Sequence, residues 1–214
     1  MQRIFHTPEG VRDIYSQECS RKQKLQEKLH RVFHQYGFED IETPTFEYFE
    51  VFSKEVGTIP SRDLYKFFDR EGNTLVLRPD FTPSVSRACA TYFNPEKEVV
   101  SLCYTGNTFI NNSSFRGRLK ETTQMGVERM GDDSPEADAE ILAMTVECLL
   151  ATGLTEFQVS VGQVDYYKAI FAQTGLSQEE EEELRELISQ KNYFGVEELV
   201  KNKNMDKSLA RVLS

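Results

Sequence analysis

The chain has 214 residues, 39% of them hydrophobic, enough for one substantial domain, or most of a larger one with a second piece begun. Lys and Arg number 25 against 35 Asp and Glu, and the formal net charge of −10 excludes bulk attraction to phosphate backbones or anionic lipid, leaving only a local basic patch able to hold nucleic acid. Cys19, Cys89, Cys103 and Cys148 show no C-x-x-C spacing, so they are expected to be reduced thiols packed as small apolar groups, with no zinc site implied. The start, MQRIFHTPEG, lacks an apolar signal core, and no apolar run reaches the length of a bilayer span; the expectation is a soluble, cytoplasmic protein.

In chain order, apolar residues at Ile14, Tyr15, Leu25, Leu29, Val32, Phe33 and Tyr36 predict an amphipathic helix over 11–36, stopped by Gly37. His30 and His34 lie one turn apart on it. Arg31 stands where a zinc protease would carry glutamate, so the pair reads as two solvated histidines. Residues 38–42 predict a short strand closed at Thr43-Pro44. Phe46, Phe49 and Phe52 are spaced for one helical face. A hairpin is expected from 65–68 and 74–77 around Asp69-Arg70-Glu71-Gly72-Asn73. In LRPDFTP, Thr82 is the expected N-cap and Pro83 the first helical residue, which puts Asp80 at a helix N-terminus.

Two antiparallel strands are expected next, 99–109 and 119–130, joined by a polar loop. A period of two puts Thr122, Gln124, Gly126 and Glu128 on one face of the return strand and Thr123, Met125 and Val127 on the other. A glycine inside a strand weakens it and accommodates close approach, so this polar face is either a solvent face or a small-molecule site. Ser134-Pro135-Glu136 opens a helix to about Thr152, with Ile141, Val146, Leu149 and Leu150 pointing inward; Phe157, Val159 and Val161 alternate as a further strand. Helices follow over 163–173 and over 177–190, the second with a Ser177…Glu180 capping box and an acidic, solvated run at 179–183. Shorter helical pieces follow at 196–202 and from Asp206 on.

The order of TPEGVRDI, IETPTFE, LRPDFTP and QMGVERMG resembles the catalytic domain of class II aminoacyl-tRNA synthetases, in particular the histidyl-tRNA synthetase lineage with its LRPEGTA and HQxGxExFG segments. The resemblance extends from Thr7 through the strand-like VSVGQV stretch. It implies an α+β fold, a mostly antiparallel sheet flanked by helices, and a dimer formed around the first helix and the IETP segment. It also implies one core domain over 1–214 that ends before its C-terminal side is complete, with 163–214 as a helical insertion.

Site residues are carried over by that resemblance position by position. Asp80 matches the carboxylate that receives the α-ammonium, Thr82 and Gln124 its neighbours, and Glu128 the carboxylate that reads an imidazole; Arg116 and Arg118 remain as anion contacts. The departure comes at FINNS, where the lineage has FRxER: Ile110 replaces the arginine that grips substrate carboxylate and ATP, Asn112 the glutamate, and Ser113 the next arginine. Losing one donor aimed at developing charge costs about 10²–10³ in rate, so no catalytic residue, cofactor or metal is expected. The combination is similar to the regulatory-subunit branch of the lineage, which implies a histidine ligand, a short-form ATP phosphoribosyltransferase catalytic subunit as partner, and feedback on the first step of histidine biosynthesis. The rival readings are a working histidyl-tRNA synthetase and another ATP-dependent ligase of the same fold.

Overall fold

Helix α1 occupies Ser16–Gln35 in a computed structural model that describes residues 5–53, 59–112 and 117–203. It begins five residues later than its periodicity predicts, because the preceding segment folds as a turn: the Thr7 hydroxyl donates to Val11 O at 2.9 Å, and Gly10 O accepts from Lys120 N at 2.7 Å. Gly37, at φ +78°, ends the helix as its C′ glycine, a conformation that costs other residues strain.

Two three-stranded sheets follow. In the first, β1 (Glu39–Asp40) pairs in parallel with β5 (Val100–Phe109), which pairs antiparallel with β6 (Glu121–Met130). In the second, β4 (Thr74–Leu77) lies between β2 (Phe46–Tyr48) and β3 (Lys66–Phe68), all antiparallel. The predicted 65–68/74–77 hairpin is present. Asp69 closes its turn by accepting from Asn73 N and Asn73 Nδ2, each at 2.8 Å. The Phe46–Phe52 segment corrects the single-helix expectation: Phe46 lies on β2 and is exposed, whereas Phe52, on the short helix α2 (Glu50–Ser53), packs with Leu64 and Val76.

The first sheet is covered on both faces. On one, Val32, Phe33, Phe38, Cys103 and Met144 form a core that also takes in Met125 and Val127, placing α1 and α4 (Pro135–Thr152) there. On the other, α3 (Thr82–Tyr92) supplies Val85 and Cys89 against Val100, Leu102 and Tyr104. Helix α4 starts as predicted, its Ser134 side chain accepting from Ala137 N, and stops at Gly153, φ +100°. Leu150 is a correction: it is exposed, and Met144 takes the buried place.

The chain divides into two compact units, Met1–Phe157 and Gln158–Ser214. The second contains α5 (Val164–Thr174), α6 (Gln178–Ser189) and α7 (Tyr193–Asn202), with Ile170, Phe171, Leu184, Val196, Leu199 and Val200 as its core. The Ser177/Glu180 capping box is formed. Residues 154–163, expected to include a strand, have no regular structure: alternation permits a strand, but a neighbour must complete its ladder, and among the described residues none pairs there. The helix expected from Asp206 lies outside the described residues. No helix among the described residues is long and apolar enough to cross a membrane.

Candidate ligand-binding site

The β5–β6 register determines which side chains meet. Leu102 pairs with Glu128, Tyr104 with Gly126, Gly106 with Gln124 and Thr108 with Thr122, so all eight share the face toward α3. The Thr108 and Thr122 hydroxyls are 3.0 Å apart at one end of it. Helix α3 and the bend before it supply the opposing residues. Gln124 Nε2 donates to Asp80 Oδ1 at 3.1 Å, and the Thr82 hydroxyl donates to Glu128 Oε1 at 2.6 Å. Asp80, Thr82, Gln124 and Glu128 are thus brought together as two linked pairs on one side of the ribbon.

Thr82 is therefore not the N-cap. Phe81 holds that position, and its phenyl ring has no acceptor to cap with; the Thr82 hydroxyl is turned to Glu128, and Asp80 Oδ1 meets the helix start instead, accepting from Phe81 N at 2.8 Å. A carboxylate at this end is favoured by the helix dipole, so Asp80 is held both by the helix start and by Gln124.

Tyr104 and Gly126 complete the site, and the glycine has a different reason from the one its sequence position suggests. A Cβ at 126 would collide with the phenol of Tyr104, its register partner. The close approach is made by the chain's own aromatic ring. Tyr104 stacks on Phe81 with centroids 4.3 Å apart and planes 8° from parallel, and its hydroxyl lies 3.4 Å from Glu128 Oε1. Beyond Phe81 the Arg78 guanidinium covers the ring's other neighbourhood, 4.0 Å from its centroid, and a Cβ at Gly106 would meet both Arg78 and Phe81.

Arg78 is buried and holds the site to the rest of the unit. Its Nε donates to Asn107 O at 2.9 Å and its Nη1 to Thr43 O at 2.8 Å, while its own carbonyl accepts from Phe109 N at 3.0 Å. Desolvation lowers its pKa, opposed by the field of Glu42. Arg78 and Tyr104 were not singled out by sequence reasoning, and Phe81 was noted only as a departure within LRPDFTP. The expected strand pair puts Tyr104 in the strand beside Gly126, but only the register, which the sequence does not fix, makes the two partners.

Burial also pushes Glu128 above the ordinary carboxylate range, with Asp80 adding to the shift and the Thr82 and Tyr104 hydroxyls opposing it. Burial raises the Tyr104 phenol too, followed by the fields of Glu128 and Asp80. Two carboxylates, a carboxamide and hydroxyls on one face suit a ligand with a cationic or N–H donor end on each side.

The end of the ribbon beyond Phe109 is different. The Ile110 N–H donates to Lys120 O at 2.9 Å, continuing the ladder one step and giving position 110 the same parity as Tyr104 and Gly106. An aliphatic residue thus follows the glycine and ring positions on this face. Asn112 Nδ2 lies 3.4 Å from Leu119 O across the loop, and its Oδ1 is buried without a hydrogen-bond partner among the described residues. Arg118 is exposed; Arg116 and Ser113 lie outside the described residues.

Comparison with known proteins identifies the family. A curated protein of Acetivibrio thermocellus named ATP phosphoribosyltransferase regulatory subunit is 42% identical over 209 residues, 98% of this chain and 50% of the relative. One of the same name from Thermoanaerobacter pseudethanolicus is 36% identical over 211 residues, 99% of this chain and 54% of the relative. The chain spans about half the length of the curated relatives it matches. A crystal structure from Bacillus halodurans, described as an ATP phosphoribosyltransferase regulatory subunit/histidyl-tRNA synthetase, superposes with a TM-score of 0.86 at 32% identity, covering 100% of this chain and 55% of that one. Its fold is the class II synthetase-like α+β fold expected from the motifs. The family model described as histidyl-tRNA synthetase matches residues 10–214, and the chain belongs to that family.

Proposed function

We propose that this chain is the synthetase-like portion of a non-catalytic regulatory subunit, required for ATP phosphoribosyltransferase activity in the first step of histidine biosynthesis and for its feedback by histidine. The observation that carries the reading is that Asp80–Gln124 and Thr82–Glu128 are in contact, and it is supported by the resemblance, which aligns Ile110 with the lineage's nucleotide-gripping arginine. The names of the curated relatives support the same assignment.

In this reading the α-ammonium of histidine meets Asp80 and Gln124, and its imidazole N–H meets Glu128. Two or three charge-assisted hydrogen bonds, each about 1.5–3 kcal/mol, yield micromolar to millimolar binding after the costs of association. The partner is the short-form catalytic subunit of the transferase, with the chain itself dimeric and the assembly cytoplasmic. Histidine bound here then acts on the partner through a coupling free energy.

The decisive experiment is ATP–pyrophosphate exchange in the presence of histidine. No exchange above background is expected; turnover at the level of an ordinary synthetase would establish the rival reading of a histidyl-tRNA synthetase or another ATP-dependent ligase. Mixing with the short transferase chain is expected to raise its phosphoribosyl transfer, and an unchanged rate would overturn the regulatory assignment.

A further inference from the structure

We propose that His30, His34, Asp40 and Cys103 form a binding site for a divalent transition metal, with zinc as its preferred occupant. The two histidines, expected to be solvated, are partly exposed and share one carboxylate. They lie at i and i+4 on one face of α1, their ring centroids are 4.1 Å apart, and both turn Nε2 toward the same carboxylate. His30 Nε2 is 2.6 Å from Asp40 Oδ1 and His34 Nε2 is 2.9 Å from Asp40 Oδ2.

The third and fourth groups come from the adjoining sheet. Asp40 and Cys103 are direct register partners in the parallel β1–β5 pair, and Cys103 Sγ lies 3.5 Å from Asp40 Oδ1. One donor atom from each of the four residues falls in a group whose members are all within 4.8 Å of one another. A tetrahedral zinc with bonds of about 2.0–2.3 Å separates its ligands by roughly 3.3–3.7 Å, so small side-chain adjustments suffice.

The donor set also selects the metal. Two imidazoles, one carboxylate and one thiolate suit a borderline-soft ion, whereas magnesium and calcium take oxygen ligands. Cys103 is fully buried among Val32, Phe33, Phe38 and Met144, giving the site a dry floor. The side chains of His30, His34 and Asp40 are 41%, 47% and 57% exposed, which leaves an entry path. Binding transfers the thiol proton to solvent as the Sγ–metal bond forms. The ion would clamp the end of α1 to the β1–β5 pair, a structural role with all four positions filled by protein.

The competing explanation is a carboxylate that merely accepts hydrogen bonds from two imidazoles and a thiol. Titration of the reduced, metal-stripped full chain with cobalt(II) separates the two. One cobalt per chain is expected, with a near-ultraviolet thiolate-to-cobalt band and intense tetrahedral visible bands, both abolished by stoichiometric zinc. His34→Gln and Asp40→Asn, at exposed positions, should each weaken zinc binding at least tenfold and remove the rise in melting temperature that zinc gives the parent. Cys103→Ser should eliminate the near-ultraviolet band, whereas Cys148→Ser should leave it. If the buried Cys103→Ser variant does not fold, His34→Gln decides alone. Absence of saturable binding, a cobalt spectrum without the thiolate band, or zinc affinity unchanged in both exposed variants would overturn the proposal.

Discussion

Under the proposed histidine-binding role, Glu128 is the residue at which ligand recognition and stability conflict. Its pKa is raised in the folded state, so between the ordinary carboxylate pKa, about 4.3, and its folded value the native protein binds more protons than the unfolded chain. The contribution of this group to stability therefore falls as pH rises through that window. Glu128→Gln, which can still accept from Thr82, should melt higher than the parent at neutral pH, with the difference vanishing in acid. The same change should weaken histidine binding tenfold to a hundredfold, the loss of about 1.5–3 kcal/mol of charge-assisted bonding. Calorimetric titration and a pH series of melting curves check both. At Gly126 the expectation is steric: Gly126→Ala forces an alanine methyl against the stacked and buried Tyr104, costing about 1–3 kcal/mol by denaturant unfolding. The hydroxyl is the nearest atom to the added methyl, so Tyr104→Phe should recover part of that loss. The polar face carrying Gln124 and Glu128 was legible from period-two alternation. Tyr104 beside Gly126 was not, because register joins residues 22 positions apart; nor was Asp40 between the histidines, because it comes from another element.

Local signals were most reliable for elements that carry their own stop and start. Gly37 ends α1, Ser134 caps α4, and Ser177 with Glu180 opens α6, each as its chemistry predicts. Two segments that depend on distant neighbours were misread: the Phe46–Phe52 segment divides between strand and helix, and 154–163 forms no strand. The start of α3 gives a test of the distinction between cap and site. Ser134→Ala should cost about 1 kcal/mol, the usual value of a lost N-cap. Thr82→Ala should cost little through the helix, since its hydroxyl caps nothing, yet should lower histidine affinity by freeing Glu128 from its donor. Chemical unfolding and calorimetry on the two variants separate the effects.

At the scale of the whole chain, Arg78, directly after β4, links that strand's end to β5 through Asn107 O and to the β1–β2 connection through Thr43 O. The two compact units meet in sequence at Phe157, within a stretch that lacks helix and strand. Brief chymotrypsin treatment is therefore expected to cut near Leu154 and Phe157, both well exposed, before it cuts the buried aromatics of either core, which mass spectrometry of the first fragments will show. The two sides of the β5–β6 ribbon have different neighbours: Cys103 faces the α1–α4 core, and the adjacent Tyr104 faces α3.

That back-to-back arrangement imposes a parity rule on how the protein can change length. The loop between the two long strands can gain or lose any number of residues, but one residue added within β5 would turn every later side chain over, exchanging thiol-side for phenol-side positions unless a bulge absorbs it. Descendants of this sequence should accordingly vary freely in the tip of the ribbon, and extend its shaft only by matched, even-numbered steps.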